Sequence, residues 1–410
     1  MTTRPAGAPA ARPGTLVTLV AVAAVAVNLR LVMSGVPPLV DAIAGDLRLS
    51  STAVGALTTL PVLCMGLFAP AASRLGSRIG PQRAVLVALA LLGGGALLRL
   101  GGHQVALLYA GTVTAGLGVA IAGTLLPSLV KSLFPPQRVG SATSYYFLWM
   151  MVGAGVAAAA AAPLATAFGG WTGSLGAWAA PAALGAVCWL PVVRAARARG
   201  HATAPAIEPG ATVPAPAAAR LPWRHGTARL LAAYFVVQSW QFFSSLAWLA
   251  PSYVASGWSR ESAGYLLSAF LAGQLLGGLV GPALTDRVAD HRAVMVCATA
   301  CAATGFIVIF VAPTGLPWLW VVLLGIGQGA AFAVGLTLLV RYAASPAASA
   351  RLSAMCFLLG YTTAAAGPAG YGALHDRTGS FQTGWGTLAA LMIVQTVLGL
   401  ALRPGLARVP

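Results

Sequence analysis

The chain has 410 residues, of which 58% are hydrophobic and only 8% charged. A soluble domain carries about a quarter charged residues, so this chain could not cover a water-soluble core of its own size. Mean hydropathy is +0.84 and net charge is +17. The basic charge sits in short connections between long apolar runs, which fits orientation in a bilayer and not contact with nucleic acid. Continuous apolar runs exclude an alternating outer-membrane barrel. The 49 glycines show no three-residue period and fit closely packed membrane helices. The expected class is an all-α membrane protein.

Residues 1–14 are polar, basic and proline-rich, and read as a disordered cytoplasmic tail. Twelve runs of the length needed to span a bilayer follow, at 15–38, 52–72, 82–101, 104–130, 140–165, 172–193, 228–251, 262–284, 292–312, 317–341, 351–373 and 383–402. The first is too long for a signal-peptide core and lacks a convincing cleavage site, so it counts as a span. Residues 194–227 hold five prolines and clustered arginines, and read as a linker between a 15–193 bundle and a 228–402 bundle. Residues 403–410 form a second tail. Lys and Arg divide 19 to 3 between the two sides when both ends are placed in the cytoplasm, which fixes that orientation by the positive-inside rule. The composition points to a bacterial cytoplasmic membrane. Five cysteines, all within apolar runs, show neither a disulfide framework nor metal-ligand spacing.

The halves repeat at an offset near 209 residues. Ala53-Val54-Gly55 aligns with Ser262-Ala263-Gly264, Arg78 with Arg287, Arg83-Ala84-Val85 with Arg292-Ala293-Val294, and Gly116-Leu117-Gly118 with Gly325-Ile326-Gly327. Two parallel six-helix repeats joined by a linker resemble the major facilitator superfamily. The likeness narrows with Asn28-Leu29-Arg30 followed by Gly35-Val36-Pro37-Pro38-Leu39, with Thr59-Leu60-Pro61-Val62, and with Leu125 through Lys131. It continues through Ala247-Trp248-Leu249-Ala250-Pro251, Gly325 through Phe332, and Gly372-Ala373-Leu374-His375-Asp376. Together and in order these segments resemble the cyanate/2-nitroimidazole transporter (CynX/NimT) family over nearly the whole chain. Members of that family often carry proline directly after the first-helix arginine, where this chain has Leu31. The resemblance implies two pseudo-symmetric six-helix bundles, a substrate near the midplane between them, and alternating access.

Arg30 is the most informative residue. A charged side chain deep in a span costs at least about 2.5–3.5 kcal/mol. The seven acids, Asp41, Asp46, Glu208, Glu261, Asp286, Asp290 and Asp376, all lie in loops or at span edges, so no acid within a span neutralises it. An arginine facing a cavity suits a carboxylate, cyanate or another planar anion, because its fork donates two parallel hydrogen bonds. The competing reading is a structural arginine bonded to carbonyls of a broken helix. Arg99, ending the third span, reads as snorkelling to headgroups or pairing with Asp41 or Asp46.

Further substrate contacts are expected from Asn28, from Gln238 and Gln241 (with Ser245, on one face of the seventh span), and from Gln328. Aromatic contacts are expected from Trp149 and Tyr361, with Tyr145, Tyr146, Trp240, Phe242 and Trp248 as further candidates. Interhelical hydrogen bonding and packing are the alternatives for all of these. Gln274 reads as structural. The loop Arg74 through Arg83 resembles the superfamily's cytoplasmic loop motif, with Ser77 in place of its usual acid. The second copy keeps the acid, so Asp286, Arg287 and Arg78 are expected to gate the cytoplasmic side.

No nucleotide loop, zinc motif or nucleophile–base constellation appears, so neither an enzyme nor a cofactor or metal is expected. The leading reading is a secondary or facilitative transporter of a small anionic or polar planar solute: cyanate-like, a carboxylate or a nitroheteroaromatic. Lacking an acid within a span, it favours uniport, exchange, or symport in which the substrate itself brings the proton. The alternative is a proton-coupled exporter of a drug-like compound. A sensor or scaffold would lack flux. The expected partners are the substrate and the lipid bilayer, for a chain that acts as a monomer.

Overall fold

A computed structural model describes residues 15–135, 138–202, 221–285, 287–288 and 290–410. The N-terminal 14 residues, most of the linker and Asp286 lie outside the described residues. Twelve helical segments are long and apolar enough to cross a bilayer. They are Thr15–Leu47, Ser51–Ala69, Pro81–Gly101, Val105–Val130, Ala142–Ala167, Trp171–Ala198, Gly226–Ala255, Arg260–Thr285, His291–Val311, Pro317–Arg341, Arg351–Thr378 and Phe381–Ala401. These are numbered below as spans 1 to 12. The last helix before the linker runs on to Ala202. Both described ends lie on one side, called the terminal face below.

The internal repeat is expressed in packing. A Cβ on Gly118 would press on the Ala88 carbonyl of span 3, and one on Gly327 would press on the Ala298 carbonyl of span 9. Likewise Gly116 lies against Pro61 of span 2, and Gly325 against Phe270 of span 8. Glycine is required at each because backbone meets backbone there. Spans 4 and 10 are therefore each wedged between two neighbours by the same glycine pair, one in each half. Six-helix bundles related by the repeat are the result. They meet where span 5 packs on span 8 and span 2 on span 11.

Two spans are interrupted. Span 1 is helical over Thr15–Ser34, passes through a 3-10 turn at Pro37–Leu39 and resumes at Val40–Leu47. Pro37 and Pro38 have no N–H to donate, so the preceding turn loses partners for its carbonyls. The helix runs unbroken through Leu31, and the interruption comes after Ser34. Span 11 breaks at Ala365, between helices Pro346–Ala364 and Ala366–Thr378. The stretch after span 12 is not a loose tail. The Val409 side chain is fully buried, its N–H donates to the Tyr342 carbonyl at 2.7 Å, and its carbonyl accepts from Ala344 N at 2.8 Å. The five cysteines are free, and Cys297 is exposed on the outside of span 9.

Candidate functional site

A cavity of about 580 Å³ opens between the halves. Its walls come from spans 1, 5, 7, 8, 10 and 11. Thr143, Ser144, Pro282 and Val340, at the terminal-face ends of spans 5, 8 and 10, form its rim, and Arg30, Phe242, Phe243 and Tyr361 lie deeper. The cavity is therefore open toward the terminal face.

Arg30 lines this cavity from span 1. Its guanidinium carbon lies 5.6 Å from the centre of the Phe242 ring and 5.9 Å from that of Phe243. Ring faces attract a cation, but they satisfy none of its N–H donors. Arg30 Nη1 is buried with no hydrogen-bond partner. Tyr361 lines the cavity beside it, and its ring meets Phe243 edge-on with centroids 6.1 Å apart. Arg30, Tyr146 and Tyr361 are the ionisable side chains among the described lining residues. A half-buried guanidinium whose enclosed Nη1 has no partner, among aromatic walls, favours an anion or an electron-rich polar edge arriving from outside the protein.

Arg99 behaves differently. It neither reaches the headgroups nor pairs with Asp41 or Asp46, but is fully buried inside the first bundle. Its Nη1 donates to the Val32 carbonyl at 3.1 Å and its Nη2 to Thr112 Oγ1 at 3.1 Å. The helix ends at Ser34, so Val36 N–H makes no bond back to the Val32 carbonyl, and the guanidinium caps that carbonyl instead. Asp46 pairs with His103 at 2.9 Å and accepts from Trp171 Nε1 at 3.0 Å.

Several expected contacts are committed elsewhere. Asn28 does not line the cavity: its amide donates to the carbonyls of Ala24, at 2.8 Å, and of Pro181, at 2.9 Å, tying span 1 to span 6. Gln238 does line the cavity, but its Nε2 donates to the Gln328 carbonyl at 3.1 Å and its Oε1 accepts from Gln395 Nε2. Gln241 is buried behind the wall, where it reaches the Leu388 carbonyl of span 12 at 3.5 Å. The Gln328 side chain is buried in the second bundle and neither of its amide atoms has a partner. Trp149 is not among the lining residues and packs edge-on to Tyr145, with ring centroids 6.2 Å apart. Tyr146, one turn from the expected Trp149, takes the cavity position.

Gln274 reverses the structural reading. It lines the cavity from span 8, its Oε1 is buried without a partner, and Nε2 makes no hydrogen bond to any described residue. The signal for this was present in the sequence. Gly273, Gly277 and Gly281 form the face pressed against span 10: a Cβ on Gly277 would overlap the Ile326 carbonyl. That fixed rotation turns 274, 278 and 282 to the cavity.

Away from the terminal face the halves are shut. Asp376, at the end of span 11, caps the start of span 2 across the interface. Its carboxylate accepts from Ser51 N at 2.9 Å, from Thr52 N at 2.9 Å and from Thr52 Oγ1 at 2.6 Å. Ser51 Oγ lies 3.0 Å from His375 Nδ1. A carboxylate suits these orphan N–H groups and the positive end of the helix. Beside it, a Cβ on Gly372 would meet the Ser51 carbonyl at 2.5 Å and one on Gly55 the Pro368 carbonyl at 2.7 Å. At the terminal face Arg78 and Arg287 are exposed, and Arg341 Nη2 donates to the Thr285 carbonyl at 3.3 Å.

Comparison with known proteins agrees with this layout. Residues 19–344 match the Major Facilitator Superfamily model. An uncharacterized transporter, YycB, of Bacillus subtilis is 31% identical over 92% of this chain and 90% of its own length. The 2-nitroimidazole transporter of Escherichia coli is 29% identical over 94% and 95%, and the cyanate transport protein CynX of the same bacterium 29% over 93% and 95%. Among solved structures, a bacterial homologue of the lysosomal transporter Spinster, in an inward-facing and occupied conformation, superposes with a TM-score of 0.74 at 16% identity. That match covers 96% of this chain and 97% of the other. A D-xylose–proton symporter gives 0.72 at 12% identity, covering 96% and 97%. The chain belongs to the Major Facilitator Superfamily, as a multi-pass membrane transporter and not an enzyme, and is related to the bacterial 2-nitroimidazole and cyanate transporters.

Proposed function

We propose that this protein is a secondary transporter that moves a small anionic or polar planar solute across the bacterial cytoplasmic membrane by alternating access. The observation that carries the reading is Arg30: half-buried with Nη1 enclosed and unpaired, lining the cavity between the halves, and held by ring faces with no acid among the described lining residues. Relatives named for 2-nitroimidazole and cyanate support a small planar solute. The surplus of arginine on the terminal face supports termini in the cytoplasm, which makes the present state inward-open. Because no acid lines the cavity among the described residues, uniport, exchange or symport of a proton carried by the solute fits best. The cavity is complete within one chain, which supports a monomer as the working unit. The exposed Arg78 and Arg287, with Asp286, are the proposed gate of the cytoplasmic mouth.

A proton-coupled exporter of a drug-like compound is the second reading, and the apolar wall formed by Phe147, Leu279, Phe332, Leu336 and Val340 favours it. The test is a thermal-shift series on purified protein with 2-nitroimidazole, cyanate and benzoate, followed by counterflow in proteoliposomes. At least one of these compounds is expected to stabilise the protein and exchange across the vesicle. Stabilisation only by large apolar cations would overturn the anion reading in favour of the exporter.

A further inference from the structure

Among the described residues that line the cavity, two carry a buried side-chain polar atom with no hydrogen-bond partner: Arg30 at Nη1 and Gln274 at Oε1. They stand in different halves, Arg30 on span 1 and Gln274 on span 8. Aromatic rings connect them. The Arg30 guanidinium lies over Phe242, Phe242 stacks on Phe270 with centroids 6.3 Å apart, and Gln274 follows Phe270 by one turn on the same helix. The other cavity-lining amide, Gln238, has both ends taken by Gln328 and Gln395.

Gln274 is 8% exposed and makes no side-chain hydrogen bond to any described residue. With Oε1 buried, Nε2 is the amide atom that the cavity can reach. The rotation of span 8 is fixed by backbone contact, because Gly273 packs on the Val322 carbonyl and a Cβ on Gly329 would overlap Gln274's own carbonyl. Residue 274 is therefore held on the cavity face. Nε2 thus offers the cavity a donor without a protein partner, and a ligand acceptor that engages it gains one hydrogen bond, about 0.5–1.5 kcal/mol. A solute can couple to rocking of the halves only through contacts that differ between states, so it must touch both.

We infer that Gln274 is the second-half anchor of the solute: its amide donates to an oxygen or ring nitrogen of the same molecule whose anionic or electron-rich edge Arg30 holds. This rests on the proposed function and deepens it, since it selects solutes with acceptors at two places over anions with one.

Purified full-length protein is titrated with whichever of 2-nitroimidazole, cyanate and benzoate binds the wild type most tightly. Gln274→Leu should weaken binding about tenfold, the loss expected for one hydrogen bond to a buried group. Gln274→Glu should weaken it further at neutral pH, because it presents an anion without a donor. That variant should regain affinity relative to wild type on acidification, as the carboxyl recovers an O–H. Arg30, Tyr146 and Tyr361, the ionisable groups that share the cavity, are unchanged in this comparison. Without ligand, both variants should melt within a few degrees of the wild type. Wild-type affinity in Gln274→Leu overturns the assignment, as does a Gln274→Glu deficit that does not change with pH. A wild-type protein that binds none of the three overturns the proposed function, and this inference with it.

Discussion

The first bundle holds two guanidinium groups within its spans, Arg99 buried and Arg30 half-buried, and it treats them in opposite ways. Arg99 is fully enclosed and spends two N–H groups on the Val32 carbonyl and Thr112. Arg30 is shielded by ring faces, and its Nη1 has nothing to bond. The difference follows from the backbone around them. Arg99 meets a carbonyl, that of Val32, left open because its helix stops at Ser34, so its charge completes a structure. Arg30 lies one turn before the helix ends at Ser34, and its guanidinium makes no hydrogen bond to a described carbonyl, so its donors must find partners elsewhere. Charge in a membrane span is thus no marker of function by itself. What distinguishes a site is charge that the fold leaves unsatisfied.

The contrast breaks first at Arg99. Arg99→Ala removes two hydrogen bonds, orphans a carbonyl and leaves a void, and should cost about 3 kcal/mol or more. A large drop in melting temperature with and without solute is expected, and an unchanged melting temperature would erase the distinction. Arg30→Ala should do the reverse. The unliganded protein should be as stable as wild type or more so, because an unpaired half-buried charge is gone. Its affinity for the solute should fall about 10- to 150-fold, the range for one hydrogen bond to a charged group. Arg30→Lys keeps charge but loses the planar fork, and should weaken binding by about tenfold. Titration of each variant with the stabilising compound checks both, and wild-type affinity in the lysine variant would mean that the fork is not used.

Fold and site differed in how far the sequence exposed them. The twelve spans were legible because apolar length is a one-dimensional property, and the half-repeat because the same glycine pair serves spans 4 and 10. Arg30 stood out by its lack of an acid anywhere within a span. The amides did not sort themselves, since Asn28, Gln238, Gln241 and Gln274 are equally polar and equally deep. Only helix rotation separates them: Asn28 faces span 6, Gln241 faces span 12, and Gln274 faces the cavity. The Asp376 cap was out of reach for a different reason. It joins residues 324 and 325 positions apart, across a boundary that no local pattern records.

That cap sharpens the comparison at the smallest expected cost. Alternating access should change the surroundings of Arg30, which lies between the halves, and leave those of Arg99, which lies within one. Asp376→Asn replaces one accepting oxygen with an NH₂ that faces the N–H groups of Ser51 and Thr52, and removes the charge that the helix end favours. The loss is about 1 kcal/mol, enough to shift a two-state balance roughly fivefold toward opening of the face away from the termini. Spin labels at Gly45 and Arg377, both exposed on that face and in different halves, would report it in a background without the native cysteines. A longer distance component should grow in Asp376→Asn, while labels placed within the first bundle around Arg99 keep their spacing. If the distribution between the halves is unchanged, the closed face is held by the Gly55 and Gly372 contacts alone, and Asp376 is only a helix cap.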